Sequence, residues 1–280
     1  MMQQVRVDWE DLVRFTREVF LSLGAGEEEA AASADILVSA DAKGIVSHGI
    51  ARLGRYVNGI REGVMIPRTP YSVLQDTPLS LTVDANGAMG LHVSRQVMEQ
   101  VISKARHTGA AFASVRDSNH FGIAGYYAQM ALAHDMIGVA MTNTAALGVP
   151  TFGREAYFGT NPIAVAVPAL RQAPFILDMS TTVVTRGKVE TYAREGGSLP
   201  NGWAVDTQGL PTGNAHSLLE NMLHQLGGGI LPLGGAGELL GGHKGYGLAV
   251  LVDICTALLS GGVFGRAVMV LERVDPPVLC

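Results

Sequence analysis

The sequence predicts an α/β protein in which a layered, mixed sheet is joined to a separate helical domain. Three observations carry that expectation. Through about residue 75 the apolar residues recur at helical spacing. From Leu79 onward, apolar runs of strand length alternate with helical segments, as in layered α/β folds. No GxGxxG follows any of these strands, so a Rossmann arrangement built on that fingerprint is not expected. The expected division is a mainly helical domain, residues 1–75 plus 243–280, and a mixed α/β domain, residues 76–242.

Asp8 is placed to cap a first helix with Trp9, Leu12, Val13, Val19, Phe20 and Leu23 on one side, stopped by Gly24 and Gly26. Glu27, Glu28 and Glu29 suit the positive end of a second helix, which runs through Ile36 and Leu37 to Gly44. Ser47 caps a third. Its apolar face is Ile50, Leu53, Val57 and Ile60, while His48, Arg52 and Tyr56 recur at four-residue steps on another face. Such a polar stripe either faces solvent or grips an anion, for which the arginine fork is well shaped.

Leu79, Leu81 and Val83 alternate as in a strand, Asn86-Gly87 marks a turn, and Val93, Val97, Val101 and Ala105 give a helix closed by Gly109. Ala110–Val115 reads as a buried strand. The loop Asp117-Ser118-Asn119-His120-Phe121-Gly122 follows it and leads into a helix over Ile123–Ala133. Strands are expected over Ile137–Met141, Ile163–Val167 and Phe175–Leu177. They end in, or start from, Thr142-Asn143-Thr144, Gly159-Thr160-Asn161-Pro162 and Asp178-Met179-Ser180-Thr181-Thr182. A short helix covers Lys188–Glu195, and Trp203–Thr212 reads as loop. A glycine-rich run, Gly227 to Gly245, enters a last helix carrying Leu248, Leu251, Val252, Cys255, Leu258 and Leu259.

Composition removes several classes of function. Hydrophobic residues are 48% and charged residues 16% of the 280, a globular and interior-rich balance. A net charge of −5 gives no basic footprint for nucleic acid. Cys255 and Cys280 are the two cysteines, so neither a disulfide framework nor a CxxC metal site is expected. No signal peptide or membrane span is read from the sequence, and a reducing cytoplasm is the expected location. HExxH, GxSxG and GxxxxGK[ST] are all missing, which argues against metal hydrolysis, a serine nucleophile and a P-loop.

What remains is a histidine at a strand-to-helix edge, where ligands gather in α/β folds. It titrates near neutrality, and either moves a proton or satisfies its own loop. Asp178, Ser180 and Thr182 either bond a sugar or amide, or cap the next turn. The glycine run before Lys244 either cradles phosphate or is a connector. A proton-transfer histidine, an arginine for a carboxylate and a phosphate cradle together fit hydride transfer to a 2-keto acid.

Five motifs in order, Ser47-His48-Gly49-Ile50 with Arg52, Ser118-Asn119-His120-Phe121-Gly122, Gly159-Thr160-Asn161-Pro162, Leu177-Asp178-Met179-Ser180 and Gly242-His243-Lys244-Gly245-Tyr246-Gly247, resemble the type 2 malate/L-lactate dehydrogenase family. That group also holds sulfolactate and ureidoglycolate dehydrogenases and cyclic imino-acid reductases. The resemblance implies NAD- or NADP-dependent interconversion of a 2-keto acid and its 2-hydroxy acid, malate/oxaloacetate or lactate/pyruvate first. It implies a homodimer, with residues 76–242 as the dinucleotide-binding domain. It implies His120 as general acid/base, Arg52 on the substrate carboxylate with Ser47 and His48 nearby, and Thr144 and Tyr56 toward substrate. Thr160, Asp178, Met179, Ser180 and Lys244 are implied as cofactor contacts, with Arg186 and Lys188 within reach of a 2′-phosphate. No metal is implied. Sulfolactate dehydrogenase, cyclic imino-acid reductase or an inactive nucleotide-binding member are the alternatives. Residues 263–280 do not resemble the family's usual continuation and read as a truncation or a shifted frame, which would remove part of the cofactor site and bear on activity and dimer packing.

Overall fold

The computed structural model describes residues 6–268. The chain divides into two compact units, Met1–Met136 and Ile137–Cys280.

In the first unit, α1 (Trp9–Ser22) opens on Asp8, whose carboxylate accepts the N–H groups of Glu10 at 2.9 Å and Asp11 at 3.3 Å. It packs on α2 (Glu27–Ala42), an alanine-rich helix buried along much of its length. The single helix expected after Ser47 is broken. Two 3-10 turns, Val46–His48 and Ile50–Arg52, precede α3 (Leu53–Arg61). The cause lies on α2: Asp41 accepts the Ile50 N–H at 2.7 Å, and a Cβ on Gly49 would lie 2.1 Å from the same carboxylate. Neither stripe of this segment faces wholly inward. Ile50, Leu53, Val57 and Ile60 are only half-buried, whereas Tyr56 of the polar stripe is 0% exposed.

β1 (Ser72–Asp76) pairs antiparallel with β2 (Ser80–Asp84), which pairs parallel with β3 (Phe112–Arg116). The sheet is therefore mixed. β1 was not expected; it is exposed throughout and has no apolar alternation to announce it. α4 (Gly90–Thr108) covers one face, with Leu81, Val83, Ala85, Ala88, Val93 and Val97 as the core. Gly109 ends α4 in the left-handed region at φ 85°. β3 is less buried than expected: Phe112 is 60% exposed and only Ser114 is buried. After it come α5 (Ala124–Met130) and a 3-10 turn, Ala131–His134.

In the second unit, β4 (Gly138–Met141), β5 (Ile163–Val167) and β6 (Phe175–Met179) form an antiparallel sheet in that order. α6 (Arg186–Glu195) stands where a short helix was expected. The expected loop after Trp203 contains β7 (Ala204–Val205), paired with β8 (Gly229–Ile230). Between those two strands lies an unexpected helix, α7 (Ala215–His224), capped by Asn214 and burying Leu218 and Met222. α6, α7 and β8 share one core with Val189, Leu218, Met222 and Ile230. α8 (Gly242–Asp253) begins inside the glycine-rich run, earlier than expected, and continues as one π-turn, Ile254–Leu258. Cys255 is half-buried there; Cys280 and most of residues 263–280, where a departure from the family was expected, lie outside the described residues.

Candidate active site

The loop carrying His120 is held from several sides. Asp117 and Gly122 take left-handed backbone, at φ 50° and 80°, and a Cβ on Gly122 would lie 2.7 Å from Ile36. Asn119 donates its side-chain amide to the carbonyls of Val64 at 3.2 Å, Gly87 at 3.0 Å and Ala88 at 3.1 Å. The backbone of α4 comes so close that a Cβ on Gly90 would lie 2.1 Å from the Asn119 carbonyl. A loop so pinned presents one imidazole orientation.

Around that ring the structure brings together four other residues expected at the site. Tyr56 Oη lies 2.5 Å from His120 Nδ1, and the Gly122 N–H donates to the same nitrogen at 3.3 Å. The His48 ring stacks on His120, centroids 5.7 Å apart and planes 19° apart. Ser47 Oγ lies 2.9 Å from His48 Nδ1, and Arg52 Nε donates to the Ser47 carbonyl at 2.7 Å. Phe20 packs edge-on against Tyr56 at 5.9 Å. The 3-10 break matters here: it lets His48 and Arg52 leave the line of a single helix while Tyr56 turns inward.

The electrostatics are one-sided. Desolvation, followed by the charges of Arg55, His48 and Arg52, holds the His120 pKa well below the ordinary histidine value. Burial pushes the Tyr56 hydroxyl up, so it stays protonated across working pH. Arg55 was not singled out from sequence, yet it stands three residues after Arg52 and one before Tyr56. That spacing was the available signal.

The remaining candidates lie in the second unit. Thr144 Oγ1 accepts the Thr160 N–H at 3.0 Å. Asp178 and Met179 belong to the end of β6, not to the loop after it, and pair across from Ala164 and Ile163. The Ser180 hydroxyl donates to the Thr182 carbonyl at 2.9 Å and Thr182 to Val184 at 2.7 Å, so both secure the local turn. Lys244 is exposed on the first turn of α8. The glycine run folds tightly on itself: a Cβ on Gly242 would lie 1.9 Å from the Gly235 carbonyl, and one on Gly245 2.3 Å from that of Leu233. Among the described residues no group of three or more His, Cys, Asp or Glu is arranged to hold a metal ion, and no helix is long and apolar enough to cross a membrane.

Comparison with known proteins places this geometry. A family model described as malate/L-lactate dehydrogenase matches residues 7–277. The malate dehydrogenase of Pyrococcus abyssi (strain GE5 / Orsay) is 45% identical over 264 residues, 94% of this chain and 71% of that protein. The L-sulfolactate dehydrogenase of Methanothermobacter thermautotrophicus is 38% identical over 276 residues, 99% of this chain and 76% of the other. The crystal structure of malate dehydrogenase from Entamoeba histolytica superposes with a TM-score of 0.91 at 34% identity, covering 95% of this chain and 73% of that one. With a family model spanning nearly the whole sequence and relatives of this identity, the chain belongs to the malate/L-lactate dehydrogenase family.

Proposed function

We propose that this chain interconverts malate and oxaloacetate using NAD or NADP, with lactate/pyruvate as the second pair. Oxidoreduction between 2-hydroxy and 2-keto acids is the activity that its family and relatives support. The observation that carries the reading is the Tyr56–His120 contact, stacked on His48 and flanked by Arg52.

Arg52 takes the substrate carboxylate, and His120 Nε2, on the side of the ring away from Tyr56, meets the carbonyl or hydroxyl oxygen. In the free protein Nδ1 accepts from the Tyr56 hydroxyl and the Gly122 N–H, which leaves the neutral ring's proton on Nε2. For reduction the ring is protonated: the Gly122 bond is given up, Tyr56 accepts from Nδ1–H and offers its own proton to the His120 carbonyl at 3.5 Å, and Nε2–H passes its proton to the forming alkoxide, leaving Nε2 as the base for the reverse reaction. When bound, the reduced nicotinamide supplies the hydride. Donor chemistry in the second unit fits such a cofactor. Asp178 is exposed at a strand end to take ribose hydroxyls, with Met179 and Ser180 beside it, Thr160 lies in the adjoining loop, and Lys244 supplies a charge for phosphate. The division by role, residues 1–75 with 243–280 against a dinucleotide-binding 76–242, belongs to this reading, as does the non-Rossmann mode of binding. A homodimer is proposed too; Leu251, Ile254 and Leu258 leave apolar surface on one face of α8 and its π-turn for a partner. The cytoplasm is the proposed location.

The test is a substrate panel. Purified chain is mixed with NADH or NADPH and with oxaloacetate, pyruvate, sulfopyruvate or a cyclic imino acid, and loss of reduced-cofactor absorbance is followed. Oxaloacetate is expected to give the highest kcat/KM. No oxidation with any member would refute the enzyme reading, and preference for sulfopyruvate or the imine would move the substrate assignment within the family.

A further inference from the structure

We propose that Asp253 is a positioning residue for the dinucleotide: through Asn161 it locks the loop of Thr144 and Thr160 to α8, the helix that carries Lys244. The inference rests on the dinucleotide reading above.

Asn161 is 0% exposed and sits at φ 37°, a left-handed conformation that asparagine tolerates better than most residues. Its carboxamide is fully used. Oδ1 accepts the Thr144 N–H at 3.3 Å, while Nδ2 donates to the Ala249 carbonyl at 3.0 Å and to Asp253 Oδ1 at 3.1 Å. Next door, the Thr160 N–H donates to Thr144 Oγ1, and a Cβ on Gly159 would lie 2.2 Å from that hydroxyl. The Thr160 carbonyl accepts from Thr181 N at 2.9 Å and Thr181 Oγ1 at 3.2 Å, which ties in the chain just beyond β6. One buried side chain therefore connects the pieces that carry Thr144, Thr160 and α8.

Asp253 is the far anchor. It is 6% exposed, and its Oδ2 is buried with no hydrogen-bond partner among the described residues. A leucine there would pack without that cost, so an orphaned carboxylate oxygen marks a group kept for the bond its other oxygen makes. Asp253 also closes α8 immediately before the π-turn Ile254–Leu258, a helix irregularity that gathers at functional sites. Lys244 is nine residues away, about 14 Å along a helix. A change of tilt at the clasp is therefore carried to the charge at the other end.

The test uses the full chain, titrated with NADH by fluorescence, alongside the keto-acid KM at saturating NADH. Asp253→Ala is expected to weaken NADH about tenfold, while Asp253→Asn, which still accepts from Asn161, stays within about twofold. The keto-acid KM at saturating NADH changes by less than the NADH affinity in both. Asn161→Ala, which also gives up the Thr144 and Ala249 bonds, loses at least as much, and the double variant is no worse than Asn161→Ala alone. Should Asp253→Ala fail to fold, Asn161→Ala and Asp253→Ser carry the titration. The inference is overturned if folded Asp253→Ala binds NADH like wild type, if Asp253→Asn is as weak as Asp253→Ala, if the keto-acid KM rises in parallel, or if the losses add. A wild-type chain that binds neither NADH nor NADPH sinks the dinucleotide reading itself; wild-type binding with unchanged variants sinks only the role of Asp253.

Discussion

At His120 the fixed surroundings and the arriving substrate pull in opposite directions. Desolvation and the nearby Arg55, His48 and Arg52 charges keep the ring neutral in the free protein. A keto acid brings negative charge into the same space, which favours the imidazolium. Substrate binding should therefore draw a proton from solution near neutral pH, and reduction should begin from a protonated ring. Calorimetric titration of the dinucleotide-bound protein with an unreactive keto-acid analogue, in buffers of different ionisation enthalpy, measures that uptake; a binding heat independent of buffer refutes it. The sign for stability follows from the same shift. The folded ring holds its proton less tightly than the unfolded one, so acidification below the ordinary histidine range favours unfolding. Tyr56→Phe keeps the packing on Phe20 but removes the partner of Nδ1. The expected result is a kcat lowered about tenfold or more with a shifted pH profile, within the range of general acid–base effects. Arg52→Lys keeps a charge but loses the fork and its Nε bond to the Ser47 carbonyl. It should raise the keto-acid KM about tenfold or more while the dinucleotide affinity holds; an unchanged KM removes Arg52 from the carboxylate.

At the scale of elements, the segment 46–61 shows how far a sequence carries. Its four-residue spacing grouped His48, Arg52 and Tyr56 on one helical face, yet the segment is two 3-10 turns and a helix, and periodicity says which residues share a face and not which face turns inward. Tyr56 alone of the polar stripe is buried, with its hydroxyl on His120, 64 positions away, which no local pattern announces. The break at Gly49 is equally non-local, being set by Asp41. Asn161 stands inside the Gly159-Thr160-Asn161-Pro162 motif, but its bonds to Ala249 and Asp253 come from α8, 88 and 92 positions away. α7 was missed although its signal was present: Asn214 is a good cap, and Leu218 and Met222 stand four apart. β1 gave no such signal, since all five of its residues are exposed. Two glycines in the same segment give a paired test. Gly49→Ala drives a methyl into Asp41 and should destabilise by about 1–3 kcal/mol, as overpacking does, with a fall in kcat/KM because Ser47 and His48 share the turn. Gly54→Ala, with nothing within 4 Å of the new methyl, should be neutral or stabilising by up to about 1 kcal/mol. Equal unfolding midpoints for the two variants would show that Asp41 does not set the break.

For the whole molecule, the candidate acid–base residues and the candidate cofactor residues fall in different compact units, Met1–Met136 and Ile137–Cys280. That separation makes a thermodynamic prediction that needs no turnover. A ligand that binds only the folded protein stabilises it by about 2.7 kcal/mol at a hundredfold excess over Kd. NADH alone, without keto acid, should therefore raise the unfolding midpoint by several degrees, at about 2–4 °C per kcal/mol for a chain approaching this size. His120→Ala should keep that shift while losing about a hundred- to ten-thousandfold in kcat, because its role is proton transfer and not dinucleotide binding. Lys244→Ala should shrink the shift, and more so for NADPH if the lysine meets the 2′-phosphate than if it meets the pyrophosphate. Arg186 already pairs with Glu190 at 3.0 Å, which leaves it poorly placed to favour NADPH, so the NADH shift should at least equal the NADPH shift. Differential scanning fluorimetry on wild type and the two variants reads all of this. Loss of the NADH shift in folded His120→Ala would place His120 in the dinucleotide site, and a full shift in Lys244→Ala would remove Lys244 from it.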